Sequence, residues 1–140
     1  MIQISNEVKE AHKQAVQTMG NSYAPYSKLH VACALQLKSP QVTQPGVNVE
    51  NASYGGTICA ERSAILGAIS QYGQSCSFEF IVIISDMKGE PIPPCGICLQ
   101  VLKEFVGDDF MVYLGDASGV SKAMPFKEFL PHSFSSSMLP

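Results

Sequence analysis

The segment FEFIVIIS, residues 78–85, is apolar at nearly every position. A strand covered on one face alternates apolar and polar side chains, so a continuous apolar run requires cover on both faces. That requirement implies a sheet with helices on each side, and the rest of the chain divides accordingly. Val8, Ala11, Ala15, Val16 and Met19 share one side of a helix predicted over 5–19, with Gly20 as its stop. NSYAPYS, 21–27, is a loop by composition. LHVACALQL, 29–37, alternates and places Leu29, Val31, Cys33, Leu35 and Leu37 on one face of a strand. KSPQVTQPG reads as a turn leading to a second strand at VNVE, 47–50, which pairs antiparallel with the first. Helices are predicted over 58–70 and 95–105, the latter entered through Pro93 and Pro94. FMVYLG, 110–115, reads as a further buried strand, with a weaker one around 118–123 and a short helix over 124–130.

Strands alternating with helices predict an α/β fold: a three-layer α/β/α sandwich around a five-stranded mixed sheet. The first two strands form an antiparallel hairpin and the later ones are expected as parallel crossovers. One domain is expected across residues 1–140, with 133–140 as a loose tail.

The formal charge of −3, with no basic run, argues against a nucleic-acid polymer as partner and favours a small, nearly neutral one. No apolar stretch reaches the ~20 residues that span a bilayer. The opening MIQISNEVKE lacks the basic and apolar regions of a secretion signal, so the cytoplasm is the expected location. In that setting the five cysteines, an odd number, read as metal ligands or buried thiols rather than a disulfide framework.

Cys95 and Cys98 stand three apart at one helix start, and Cys59 in TICAER begins the other. Helix N-termini carry partial positive charge and favour thiolates. Three thiolates on Zn²⁺ leave a tetrahedral position free, as catalytic zinc requires. Glu61, two residues after Cys59, is placed to act as a general base that later serves as general acid. Arg62 can offset the net −1 of Zn²⁺ with three thiolates by donating hydrogen bonds to sulfur. A closed four-thiol structural zinc would need Cys33, on an apolar strand face, or Cys76, in a polar turn. Neither has ligand-pair spacing. His12 lies between Val8 and Val16 and reads as a structural or surface residue.

Cys59-Ala60-Glu61 and Pro94-Cys95-Gly96-Ile97-Cys98 match the [HC]-x-E … P-C-x-x-C pattern of the zinc nucleotide deaminases. SYAPYSKLHVACAL, GVNVENASYGGTICAERSAI, PPCGICLQVL and FLPHSF, taken together and in order, resemble the short, homotetrameric, three-cysteine cytidine deaminases. The resemblance implies one Zn²⁺ per chain on Cys59, Cys95 and Cys98, with Glu61 as the proton shuttle. It implies that Asn48 and Glu50 bind the ribose 3′-hydroxyl. Leu29, Ala52, Tyr54 and Ala60 fall in segments that line the nucleoside pocket, and Phe134 matches an aromatic lent by a neighbouring subunit. The implied reaction is hydrolytic deamination of cytidine or deoxycytidine in pyrimidine salvage, giving the uridine product and ammonia. Leu29 replaces a usual phenylalanine, Ala32-Cys33 a usual Gly-Ala, and Leu99 a usual arginine, which leaves Arg62 as the one arginine of the chain. The changes at Leu29 and Leu99 raise a modified cytosine nucleoside such as blasticidin S as an alternative substrate. A non-catalytic zinc protein that binds nucleosides or partners is the rival from another class.

Overall fold

The computed structural model describes residues 2–140. Its five strands are β1 Val31–Ser39, β2 Thr43–Val47, β3 Ser77–Ser85, β4 Met111–Asp116 and β5 Gly119–Pro125. Helices α1 Asn6–Thr18, α2 Ala60–Tyr72, α3 Gly96–Lys103 and α4 Phe126–Phe129 complete it, with short 3-10 turns between. The sheet order is β2-β1-β3-β4-β5.

The expected cover on both faces of β3 is present. On one side α1 lays Val8, Ala11 and Ala15 over Ala32, Ala34, Phe80, Val82 and Ile84. Alanine against alanine lets this helix approach closely, and Ser5 caps it by accepting from the Val8 N–H at 3.3 Å. His12 sits on this helix and its Nε2 lies 2.8 Å from the Asp116 carbonyl, tying α1 to the β4–β5 corner. The other face carries the larger core, with Val31, Cys33, Leu35 and Leu37 from β1, Ile81 and Ile83 from β3, and Ala64, Ile65 and Leu102 from the helices. The five-stranded mixed sheet between helical layers is therefore as anticipated.

Two details differ from the expected chain path. The second strand is Thr43–Val47 rather than 47–50, so Pro45 and Gly46 lie inside it instead of in a turn. β2 is at the sheet edge, where a missing N–H is tolerated. At Gly46 a Cβ would come within 2.6 Å of the Ala64 amide nitrogen and would also strike the Ala60 carbonyl oxygen. Glycine is there because the backbone of α2 rests directly on the strand. Residues beyond Val47 stay extended only as single bridges, Val49 pairing with Tyr23 and Ile58.

Of the later connections, only β3 to β4, through α3, is a parallel crossover. β5 returns antiparallel to β4 through Ala117 and Ser118, a link too short to hold a crossover. β1 and β3 are also antiparallel. The register pairs Val31 with Ser85 and Ala32 with Val47, which brings the start of β1, the end of β2 and the end of β3 to one end of the sheet. Both α2 and α3 begin at that end.

Because the space above Gly46 is filled by helix backbone, which cannot rotate away, Gly46→Ala should destabilise the fold by about 1–3 kcal/mol. Urea unfolding of the zinc-loaded protein checks this; an unchanged midpoint would mean that α2 can shift at no cost.

Candidate active site

Cys59 and Cys95 occupy the N-cap positions of α2 and α3, and Cys98 lies in the first turn of α3. Neither N-cap side chain caps the backbone of its own helix, and the two sulfurs face each other. Their Sγ atoms are 3.7 Å apart, and all three sulfurs lie within 4.8 Å of one another. Among the described residues no other histidine, cysteine or carboxylate joins this group. Cys33 is wholly buried on β1 and its thiol donates to the Ala60 carbonyl at 3.1 Å. Cys76 directly precedes β3 and is buried in the larger core together with Phe78, rather than exposed in a polar turn. A closed four-thiol site is thus not formed.

The donor set suits Zn²⁺: three soft sulfurs at helix starts, close enough to share one ion. A hydrogen bond from Cys98 holds the Cys59 thiol down to about 5, against burial and with help from Arg62 and Cys95. The same bond, with burial and the nearby Glu61, holds Cys98 above the usual thiol range. In effect the cluster retains a proton that a bound cation displaces.

Glu61, in the first turn of α2, is 4% exposed. Burial raises it to about 7; its own backbone N–H opposes the shift and the Cys59 thiolate adds to it. Its Oε2 accepts from the Cys98 thiol at 3.8 Å, so the acid stands beside the sulfurs without joining them. Burial works against the charge of Arg62, yet hydrogen bonds to the Cys59 and Cys98 sulfurs raise its pKa. Its Nη2 donates to Cys59 Sγ at 3.4 Å and to the Thr57 carbonyl at 3.3 Å.

Cys59 and Cys95 open onto a cleft of about 190 Å³ that also takes in Leu29, Asn48, Glu50, Ala60 and Glu61 from the expected set, with Cys98 buried behind them. Leu29, Val31, Ile83, Ile92 and Pro93 make an apolar wall, while Ser27 and Thr57 stand at its rim. Sequence reasoning passed over Ser27, Thr57 and Ile92, because hydroxyls in loops and a single isoleucine between prolines carry no pattern. Asn48 is buried: its Nδ2 donates to the Leu29 carbonyl at 2.8 Å, and its Oδ1 accepts from the Val31 N–H at 2.9 Å and from the Ser22 hydroxyl. Glu50 is held below the usual carboxylate range by a hydrogen bond from the Ser27 hydroxyl, with further ones from the Tyr26 and Ser27 amides.

Ala52, Tyr54 and Phe134 are not brought into this cleft. Ala52 is exposed. Tyr54 lines an adjoining hollow with Tyr26, against which its ring packs edge-on at 5.7 Å. Phe134 lies over the outside of α3, its carbonyl accepting from Gln100 Nε2 at 3.1 Å and its ring half exposed. Leu99 is buried in the larger core, so its side chain faces away from the cleft.

A family model for the cytidine and deoxycytidylate deaminase zinc-binding region matches residues 5–114. The chain belongs to this deaminase family. It is 41% identical over 122 residues to a cytidine deaminase of Halalkalibacterium halodurans, covering 87% of this chain and 89% of that protein. A cytidine deaminase of Sporosarcina psychrophila is 36% identical over 129 residues, 92% of this chain and 87% of that one. Among solved structures, cytidine deaminase from Burkholderia pseudomallei superposes with a TM-score of 0.80 at 34% identity, over 94% of this chain and all of that one. The deaminase fold thus accounts for both the sheet order and the sulfur cluster.

Metal analysis should find about one Zn²⁺ per chain. Cys98→Ser should lose most of it, while Cys76→Ala should keep it; zinc retained in the first variant would mean that Cys98 is not a ligand.

Proposed function

We propose that the protein catalyses the hydrolytic deamination of cytidine and deoxycytidine, with one Zn²⁺ per chain on Cys59, Cys95 and Cys98. The observation that carries this reading is a buried acid, Glu61, raised to about 7 by burial, beside three sulfurs that can share one metal ion at a mostly apolar cleft. When bound, Zn²⁺ supplies the acidity and fixed position of the attacking water.

The chain's own groups do the rest. Leu29, Val31 and Ile92 give the flat pyrimidine an apolar wall, and exclude water from its face. Asn48 and Glu50 line the same cleft and are the polar groups assigned to the sugar. Glu61 takes a proton from the attacking water and delivers it to N3 as C4 becomes tetrahedral. It then passes the second proton to the leaving amine, so that cytidine and water become uridine and ammonia. Its burial raises its proton affinity above that of an ordinary carboxylic acid, which suits a group that must accept and return a proton. Arg62, bonded to Cys59, draws negative charge from the sulfurs.

The cleft favours a nucleoside over a nucleotide. None of its lining residues is lysine or arginine, and the ionised Glu50 would repel a 5′-phosphate. Leu29 keeps the wall apolar and Leu99 is in the core, so neither substitution builds a special seat for an enlarged base. A non-catalytic zinc protein would want a fourth protein ligand, whereas Cys33 is bonded to Ala60.

We read the assembly as a homotetramer working in cytoplasmic pyrimidine salvage. The support is the exposed apolar set Leu66, Ile97, Phe134, Met138 and Leu139 around α2, α3 and the C-terminal segment, of which Phe134 does not line the cleft of its own chain. Sedimentation of the zinc-loaded protein measures this directly.

Loss of cytidine absorbance in the near ultraviolet tests the activity. Glu61→Gln should keep its zinc and lose at least about 10²-fold in kcat, since the ligands remain and the proton carrier is gone. Substantial turnover in that metal-replete variant would reject the mechanism. Arg62→Gln should fold and bind zinc but run about 10–100-fold slower; unchanged kinetics would dismiss its charge role.

A further inference from the structure

We propose that Ser27 is a positioning residue whose hydroxyl couples the sugar-side carboxylate of the cleft, Glu50, to its base-side wall, Leu29. The inference rests on the nucleoside reading of the cleft and adds to it a residue that sets how the two ends of the substrate are recognised together.

The rim that carries Leu29 is an irregular segment between α1 and β1, and its position is not dictated by sheet pairing. Lys28, immediately before Leu29, has φ 61°, in the left-handed region that a lysine rarely adopts. Such a backbone persists only where its surroundings hold it. Ser27 Oγ spans this residue from both sides. It accepts from the Leu29 N–H at 3.1 Å and donates to Glu50 Oε1. The direction is fixed by chemistry: an ionised carboxylate has no proton to give, so the serine proton points to Glu50 and the oxygen lone pairs face Leu29. The second carboxylate oxygen, Oε2, accepts from the Tyr26 and Ser27 amides at 2.9 and 3.2 Å.

Glu50 therefore meets the substrate already oriented, with its lobe toward Ser27 shared between protein and sugar. A sugar hydroxyl that donates to Glu50 shares its acceptor with Ser27. Any movement of Glu50 is transmitted through one oxygen to the Leu29 amide, hence to the wall against which the base lies. Asn48 holds the far side of the same residue, at the Leu29 carbonyl, so Leu29 is gripped at both its polar atoms. The rim is exposed at Ser27, and loss of its hydroxyl removes no core packing.

The test uses zinc-loaded wild type, Ser27→Ala and Ser27→Thr, with cytidine and 3′-deoxycytidine as substrates. Ser27→Ala should raise KM for cytidine about tenfold while kcat falls less than about threefold, the mark of lost ground-state positioning. Ser27→Thr, which keeps the hydroxyl, should restore KM to within about threefold of wild type. The fold penalty for removing the 3′-hydroxyl should shrink in Ser27→Ala, because the two changes act on one carboxylate. An unchanged KM, or an identical penalty in wild type and Ser27→Ala, would overturn the coupling. Wild type that turns over no nucleoside would instead reject the reading of the cleft, and amide exchange then decides the clamp alone. Exchange at the Leu29 amide without substrate should speed at least about tenfold in Ser27→Ala and recover in Ser27→Thr; equal rates would overturn it.

Discussion

Two helices must begin at the same point in space for this site to exist. Cys59 and Cys95 are the residues just before α2 and α3, and neither side chain is spent on capping the backbone of its own helix. A helix start cannot be moved without moving the whole helix, so the separation of the two sulfurs is set by how α2 and α3 lie on the sheet. The seating of α2 on Gly46 fixes one, and Leu99 and Leu102, packed into the larger core, hold the other. The fold thus does at long range what a contiguous metal-binding loop does locally.

The electrostatics follow from that convergence. The Cys59 sulfur holds its negative charge more readily than an isolated thiol, because Cys98, Arg62 and Cys95 all hydrogen-bond to it. The acid beside them experiences the opposite pressure: burial and a neighbouring thiolate both disfavour its carboxylate form. One location therefore contains a group driven toward ionisation, Cys59, and one driven away from it, Glu61, only two residues apart on the chain. Arg62 makes the juxtaposition tolerable, because a fixed cation next in sequence sits against the same sulfur. Groups with divergent proton affinities held side by side are what proton-transfer chemistry needs.

Much of this was legible in the sequence because it is encoded by pattern. The apolar run of β3 announced cover on both faces, and the alternation of β1 assigned its inward side chains correctly. Cysteine and glutamate at the starts of two apolar helices revealed the metal centre. What was missed has a tertiary cause. Pro45 and Gly46 look like a turn, and only the helix lying on them explains why they form a strand. Ala117 and Ser118 make a hairpin that no long-range pattern foretold, so β5 was not recognised as antiparallel. Cys76 is flanked by serines yet is buried, since burial there depends on Phe78 and α2 rather than on its sequence neighbours. The rim residues were invisible for a different reason: Ser27 gains its meaning from Glu50, more than twenty positions away. Tyr54 and Phe134, brought forward by resemblance, lie outside the cleft of their own chain.

The edges of the sheet bear on how copies of the molecule can meet. β2 and β5 are the outer strands, and an outer strand ordinarily offers unpaired amides to any passing chain. Here β2 carries Pro45 in its middle, while β5 ends in Pro125 and presents Lys122, which pairs with Glu90. A proline supplies no donor and a lysine resists burial, so neither margin is a good template for continuing the sheet. Runaway strand-to-strand polymerisation is therefore discouraged at both borders.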